Sequence, residues 1–219
     1  DQHPGEWRRP KPGERDDAFK AGVRAYPVGY RVGAGLARHV AMRHAWKAAI
    51  GYGEQGIEAG LDPVTLGVMG VAWAALGDSA KSEEYYRVME VAVLKQPGAF
   101  HRAWSLFLLD HGRHIPDVLA KVNEEIQTRK DIYGYDLLAW ALHKSGQETA
   151  ASEAMTHALA QGTRDAMLFY HAGMIARAKR APAAARTYLE RALETNPAVD
   201  PFGPDVARAV LDSLKLEGH

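Results

Sequence analysis

The chain has 219 residues, of which 47% are apolar and 25% are charged, the balance of a globular protein rather than of a disordered or collagen-like one. Its 27 Lys and Arg residues equal its 27 Asp and Glu residues, so bulk charge does not indicate a nucleic-acid partner, and none is expected. The absence of cysteine excludes disulfide bonds, thiolate metal sites and a cysteine nucleophile, and no uncharged apolar stretch is long enough for a membrane span.

Residues 1–29 differ from the rest of the chain, because proline and glycine recur too often for a helical period. We predict an arm that is extended around residues 7–12, with at most one short helix near residues 16–24. The first residue is Asp1 rather than methionine, which together with the lack of thiols favours an exported or periplasmic protein over a cytoplasmic one. If Asp1 carries a free amine, His3 completes a square-planar copper or nickel motif, although an incidental histidine in a tail is the simpler interpretation.

From Tyr30 onward, alanine-rich amphipathic segments of about 12 to 15 residues alternate with short breaks. The breaks combine glycine, proline and capping residues, which are helix stop and start signals. They occur at residues 60–63, 77–78, 96–98, 115–117, 145–146, 161–163 and 196–197. Strand-like alternation of apolar and polar residues is missing, so the sequence predicts an all-α fold.

Two of these helical segments match each other at an offset of 34 residues. Tyr135 corresponds to Phe169, and Ala139 corresponds to Gly173. Alanines in the second helix of each pair keep the same offset, at residues 151 and 185 and at residues 158 and 192. Small residues at these positions let two helices approach closely, while the bulky ones fill the space between the contacts.

This bulky–small–small pattern, ending in Pro197, resembles the tetratricopeptide-repeat (TPR) family, whose period is 34 residues. The resemblance implies a right-handed α-solenoid of about five antiparallel helix pairs with a C-terminal capping helix. The repeats at residues 132–165 and 166–199 are clear, the repeat at 63–96 keeps part of the pattern, and two degenerate repeats are inferred at 30–62 and 97–131. Residues 201–219 would form the capping helix, which covers the apolar flank of the last repeat.

The resemblance also implies a function, because TPR domains bind protein or peptide partners in a concave groove lined by the first helix of each pair. Carried onto this chain, the groove residues are Tyr133, Asp136, Trp140, His143, Lys144, Met167, Tyr170, Met174 and Arg177. For Trp140 and Met174, packing against the next helix is an equally good interpretation. Aromatic rings, methionines and both signs of charge suit an extended peptide better than a single anion. Lys144 and Arg177 could serve a carboxylate clamp, but Asp136 opposes their charge and the clamp asparagine is missing.

A second copy of the chain is a further candidate partner. The first helix of repeat 63–96 carries an apolar strip, and an apolar surface of this kind is usually covered by another part of the protein or by a partner. The strip consists of Val64, Gly67, Val71, Ala74 and Ala75. The inner wall of a tightly wound superhelix, a second copy of the chain or the N-terminal arm could cover it, and we expect Trp7 of the arm to lie along this strip or along that of a neighbouring molecule.

Two other functional classes stay open. A small-ligand or metal-binding solenoid would use the ten histidines together with the methionine and aromatic lining, with His39 and His44 or His111 and His114 as pairs. The pairs have poor spacing, so solvated or helix-capping histidines are the simpler interpretation.

An enzyme would depend on His143 or His171 near Asp136, and no catalytic motif supports it. We therefore predict no cofactor, no metal site and no catalytic residue.

Overall fold

The computed structural model describes residues 30–58, 60–95, 101–197 and 203–216. Within these ranges the chain forms eleven α-helices and no strand, so the predicted all-α fold is confirmed. The helices are α1 (Tyr30–Ala41), α2 (Trp46–Ile57), α3 (Pro63–Ala75), α4 (Ser79–Lys95), α5 (His101–Asp110), α6 (Ile115–Glu125), α7 (Ile132–Lys144), α8 (Glu148–Leu159), α9 (Ala166–Ala178), α10 (Pro182–Thr195) and α11 (Gly203–Leu216). The predicted arm at residues 1–29 lies outside the described residues.

Five consecutive helix pairs followed by one further helix agree with the predicted TPR-like solenoid. The repeat boundaries stay predictions, and the helix bounds above are those of the structure. In the described ranges, no helix combines the length and apolarity that crossing a bilayer requires. The described helices divide into two compact units, unit 1 with α1–α4 up to Leu94 and unit 2 with α5–α11 from Lys95.

Unit 1 has its own apolar core, to which the first three helices contribute. Ala41 comes from α1, Ala49 and Ile50 come from α2, and Met69 and Ala72 come from α3. The half-buried side chains of Trp46, Ile57, Trp73 and Tyr85 pack around this cluster. Small and large residues therefore alternate across the helix contacts, as the sequence pattern predicts.

Unit 2 is built around α7, α8 and α9. Its main cluster consists of Ala139, Leu142, Ala151, Ala154, Met155, Ala158, Leu168, Ala172 and Ile175. The alanines predicted at helix contacts in α8 and α10 are all buried. At the end of the chain, Leu214 of α11 is buried against Ala176 and Ala185, so α11 covers the last helix pair.

Equivalent helix ends carry equivalent residues from one repeat to the next. Aspartates 62, 131 and 165 cap the N-termini of α3, α7 and α9, each accepting a hydrogen bond from a backbone N–H two or three residues later. At the opposite ends of α3, α5, α7 and α9, residues 77, 112, 146 and 180 adopt a left-handed conformation. Three of these four residues are glycine and the fourth is Arg180, which carries a Cβ in a region that favours glycine.

A close helix approach in unit 2 occurs where the sequence predicts it. A Cβ placed on Gly173 of α9 would lie 2.6 Å from the Cγ and Cδ2 atoms of Leu189 and 3.2 Å from its backbone nitrogen. Only glycine permits this approach, because α10 brings its backbone as well as its side chain against α9. The interpretation of Gly173 as a close-contact residue is confirmed.

Candidate functional site: the face formed by α5, α7 and α9

The first helices of three successive pairs in unit 2 lie next to one another, because α7 contacts both α5 and α9. The side chains predicted to bind a partner come from α7 and α9. We call their surface, together with the adjoining residues of α5, the A face. It consists of Arg102, Asp110, Tyr133, Asp136, Trp140, His143, Lys144, Met167, Tyr170, Met174 and Arg177.

A buried ionic network is part of the A face and joins its three helices. The Asp136 carboxylate of α7 is 1% exposed and accepts hydrogen bonds from two sides. Arg102 Nη2 on α5 donates to Asp136 Oδ2 at 2.5 Å, and His171 Nδ1 on α9 donates to Asp136 Oδ1 at 2.7 Å. Hydrogen bonds to a charged group such as the Asp136 carboxylate are the stronger kind, so this network ties the three helices together.

The electrostatics of the network keep Asp136 ionised. Burial by itself raises the pKa of the Asp136 carboxyl, since removing a charge from water is unfavourable. The charges and hydrogen bonds of His171 and then of Arg102 outweigh burial, and the pKa of Asp136 falls below its ordinary value. The negative charge of Asp136 is therefore balanced inside the protein rather than presented to solvent.

Trp140 is the second element of the A face and is also buried, at 2% exposure. Its Nε1 donates to Asp110 Oδ1 of α5 at 2.8 Å, and its ring stacks on His171 with 4.1 Å between centroids. Tyr170 is tilted against the same ring at 6.1 Å, and Lys144 Nζ lies 4.9 Å from the ring centroid. Contacts from α5, α7 and α9 thus fix the position of the indole.

The remaining predicted residues are more accessible. Tyr133 is 42% exposed, and its ring lies 5.0 Å from the guanidinium carbon of Arg102. The half-buried residues are His143, Lys144, Met167, Tyr170, Met174 and Arg177. His143 stacks on Trp140 and hydrogen-bonds through Nδ1 to the Glu148 carboxylate at 2.9 Å. Met174 and Arg177 follow Tyr170 along α9 at helical spacing, one and two turns further on.

Burial changes the expected role of two predicted residues. Asp136 and Trp140 lie beneath the surface, so their contacts are with Arg102, His171 and Asp110. Sequence analysis missed Arg102 and Asp110 altogether. The repeat spacing could have indicated Arg102. It precedes Asp136 by 34 residues and therefore occupies the same position in the preceding repeat, so the two opposite charges can pair.

A small hollow adjoins the A face between α5, α6 and α7. It has a volume of about 20 Å³, which is room for about one water molecule. Its lining residues are Arg102, Val122, Glu125, Ile126, Arg129, Tyr133, Gly134 and Leu137. A hollow of this size cannot enclose a cofactor or a drug-sized ligand.

The histidine pairs of the described helices have other contacts. In the described part of the chain, no three His, Asp or Glu side chains are grouped so that they could hold a metal ion. His111 Nδ1 donates to the Phe107 carbonyl at 2.8 Å and caps its own helix, and His114 pairs with Asp117 at 3.1 Å. The proposed N-terminal copper motif lies outside the described residues.

The apolar strip of unit 1 is only partly exposed. Val64, Ala74 and Ala75 are exposed, while Val71 is half-buried and Gly67 is buried beside Met89. Leu61 and Leu76 flank α3 and are also exposed. Homodimerisation through this strip stays a prediction.

Known structures share this arrangement of helices. A tetratricopeptide repeat protein from Parabacteroides merdae is 13% identical and superposes with a TM-score of 0.65, covering 93% of this chain and 78% of its own. The chain has the TPR fold. A chain of the APC/C hetero-tetramer Cut9–Hcn1 is 15% identical with a TM-score of 0.54, covering 93% of this chain and 39% of its own.

Superposition on known structures establishes the TPR fold, in agreement with the 34-residue pattern of the sequence. No protein-family model matches the chain, and no curated protein matches it either. The two superposed structures therefore establish the fold alone, and the function has to be argued from the A face.

Proposed function

We propose that unit 2 is a non-enzymatic module that binds a peptide or protein partner along the A face. The observation that carries the proposal is the fixed frame beneath this face. Arg102, Asp136 and His171 join α5, α7 and α9, and Trp140 joins them again through Asp110. A frame fixed before binding lowers the entropy that association costs.

Exposed and half-buried side chains on this frame supply the contact surface. Tyr133 and Tyr170 are flat and rigid, Met174 is flexible and apolar, and Lys144 and Arg177 add charge at the margin. Aromatic residues, methionine and arginine are the types enriched at protein interfaces. We assign partner contact to these residues and a supporting role to Asp136 and Trp140.

The geometry gives little support to an enzyme. Asp136 and His171 are hydrogen-bonded, as an acid and a base would be, but each is 1% exposed and Asp136 is already satisfied by Arg102. A general base must reach a proton of the substrate, and neither side chain has surface with which to do so. A small-ligand site would need an enclosed pocket, for which the hollow beside Tyr133 is too small.

The proposal predicts that Tyr133→Ala and Tyr170→Ala each weaken partner binding by about 1–4 kcal/mol, as interface anchors do. The partner would first be captured from a displayed library of 12-residue peptides, and affinity would then be measured by calorimetry. Circular dichroism should show that both variants keep their helical content.

Tyr188→Ala is the matched control. Tyr188 is a half-buried tyrosine of α10 that packs against the core cluster of α7, α8 and α9. Its replacement should lower stability and leave affinity unchanged. Equal affinity losses in all three variants would indicate general destabilisation, and no loss at Tyr133 and Tyr170 would refute the proposed surface.

A further inference from the structure

Unit 1 carries a surface on which aromatic and acidic side chains from α2, α3 and α4 lie close together. Trp73 of α3 and Tyr85 of α4 pack against the core of unit 1 and are both half-buried, so part of each side chain faces solvent. Glu54 of α2 and Glu84 of α4 are exposed. Burial and then the charges of Glu54 and Glu84 raise the pKa of the Tyr85 hydroxyl, so both carboxylates lie near that ring. We call these four residues the unit 1 patch.

The carboxylates of the patch are not neutralised by direct partners. Within the described ranges of the chain, neither Glu54 nor Glu84 forms a salt bridge or a side-chain hydrogen bond. One cation adjoins the patch, since Lys81 Nζ lies 3.9 Å from the ring centroid of Trp73. Two negative charges beside one positive charge leave the patch negative, and its aromatic rings add apolar surface. Such a patch suits a basic segment that also carries an aromatic side chain.

The N-terminal arm contains a segment of this kind. Residues 7–12 combine one tryptophan with three Lys and Arg residues and no acidic residue. Pro10 and Pro12 fix their own φ angles and restrict the residues before them to extended conformations, so the segment loses little entropy when it docks. Surfaces lined by aromatic side chains are a common docking site for extended proline-rich segments.

The arm enters unit 1 beside the patch. A Cβ placed on Gly33 of α1 would lie 2.9 Å from the Gly56 nitrogen and 3.0 Å from the Tyr52 carbonyl oxygen. The start of α1 therefore packs against the last turns of α2, where Glu54 is also located. Residues 13–29 connect the basic segment to α1, and a flexible chain of this length spans about 20–25 Å. A short tether of this kind gives a high effective concentration of the segment at the patch.

We propose that residues 7–12 of the N-terminal arm dock on the unit 1 patch of the same chain. The Arg and Lys side chains pair with the two glutamates, and Trp7 packs on the aromatic rings. The unpaired carboxylates favour this patch over the apolar strip of α3, whose exposed residues offer no charge to a basic segment. Docking of the arm takes place on unit 1 and does not depend on the proposed function of the A face.

The test uses the full chain, whose lack of cysteine allows a single nitroxide label at Gly5→Cys. At 50 mM NaCl the label should broaden the amide resonances of residues around Glu54 and Glu84 more strongly than those around Val64 in the strip. At 500 mM NaCl most of this broadening should be lost, because salt screens exposed charge pairs. Mixing labelled chains with unlabelled ¹⁵N chains should give no such broadening.

Charge-neutral variants test the contacts one by one. Glu54→Gln and Glu84→Gln should each lower the paramagnetic broadening at Tyr85 about two- to fivefold. Trp7→Ala should lower it about three- to tenfold, since an aromatic contact is lost as well as its apolar area. Glu90→Gln is the matched control, because Glu90 is exposed on the same helix six residues after Glu84, and it should leave the broadening unchanged.

Four results would overturn the proposal. Equal reductions in Glu84→Gln and Glu90→Gln would attribute the effect to overall charge. Broadening centred on the α3 strip would place the arm elsewhere on unit 1, and broadening spread evenly over the protein, or none, would show that the arm does not dock. Equally strong broadening in the mixed sample would assign the contact to a neighbouring molecule.

Discussion

Replacing Asp136 tests the buried network that supports the A face. Asp136→Ala would leave the buried His171 N–H and the half-buried Arg102 guanidinium without their shared acceptor. Arg102 Nε is already buried without a hydrogen-bond partner. Removing one member of a buried ion pair costs about 3–5 kcal/mol, a large share of a typical stability of about 5–15 kcal/mol.

Asp136→Asn is the milder change. The amide keeps the size of the carboxylate and one acceptor oxygen, but its NH₂ group faces one of the two donors. We expect a loss of about 1–3 kcal/mol, the cost of leaving a buried polar group unsatisfied. Urea denaturation followed by circular dichroism measures the free energy of unfolding, and hydrogen exchange of α7 and α9 assigns the loss to unit 2 rather than to unit 1.

The effect should depend on pH in a defined direction. The pKa of Asp136 is lowered in the folded protein, so its contribution to stability is present above the unfolded pKa of about 4 and is lost as pH falls through the folded value. The difference in unfolding free energy between the native protein and Asp136→Asn should therefore shrink below about pH 4.

Asp117→Asn is the control for the acid titration, because Asp117 is an exposed carboxylate that pairs with His114 at 3.1 Å. It should change stability by less than about 1 kcal/mol at any pH. If Asp136→Ala lowered the free energy of unfolding no more than Asp117→Asn does, the network would not stabilise unit 2 as argued here. The same conclusion would follow if the gap between the native protein and Asp136→Asn were constant from pH 6 to pH 3.

Two further predictions concern the helix contacts and turns that build the fold, and both are checked by thermal and urea unfolding. Arg180→Gly should stabilise the protein by about 0.5–1 kcal/mol, because residue 180 has a φ of 57° where the equivalent residues 77, 112 and 146 are glycine. Arg180→Ala keeps a Cβ and should give no such gain; a gain equal to that of glycine would attribute the effect to the arginine side chain. Gly173→Ala should destabilise by about 1–3 kcal/mol, since the new Cβ would lie 2.6 Å from the Leu189 side chain and 3.2 Å from its backbone nitrogen. Gly51→Ala is its control, because that Cβ meets nothing within 4 Å in α2 and should be neutral or stabilising; similar losses at both positions would refute the close-packing argument.

The repeat architecture was predictable because its signals are local or recur at a fixed interval. Helix stop signals such as Gly146 and capping residues such as Asp165 act within three or four residues of their own position. Gly173 could be assigned to a helix contact because Ala139 lies one repeat earlier. A helix pair buries its small residues wherever the pattern repeats, so one clear repeat predicts the next.

The sequence did not predict which residues of the site are accessible to solvent. The 34-residue offset aligns Arg102, Asp136 and Tyr170, but it does not reveal that Asp136 turns towards both Arg102 and His171 and becomes buried. Trp140 likewise occupies a position that the family resemblance assigns to the binding groove. Its burial depends on an acceptor, Asp110, that lies on another helix thirty residues earlier.

The sequence by itself determined that this chain is helical, that its helices pair, and which small residues lie at the contacts, since helix periodicity and capping depend on neighbours along the chain. The tertiary structure decided which A-face side chains are buried and where the charge of Asp136 is balanced. These properties depend on distances between atoms of different helices, and burial and Coulomb interactions change steeply over a few ångströms.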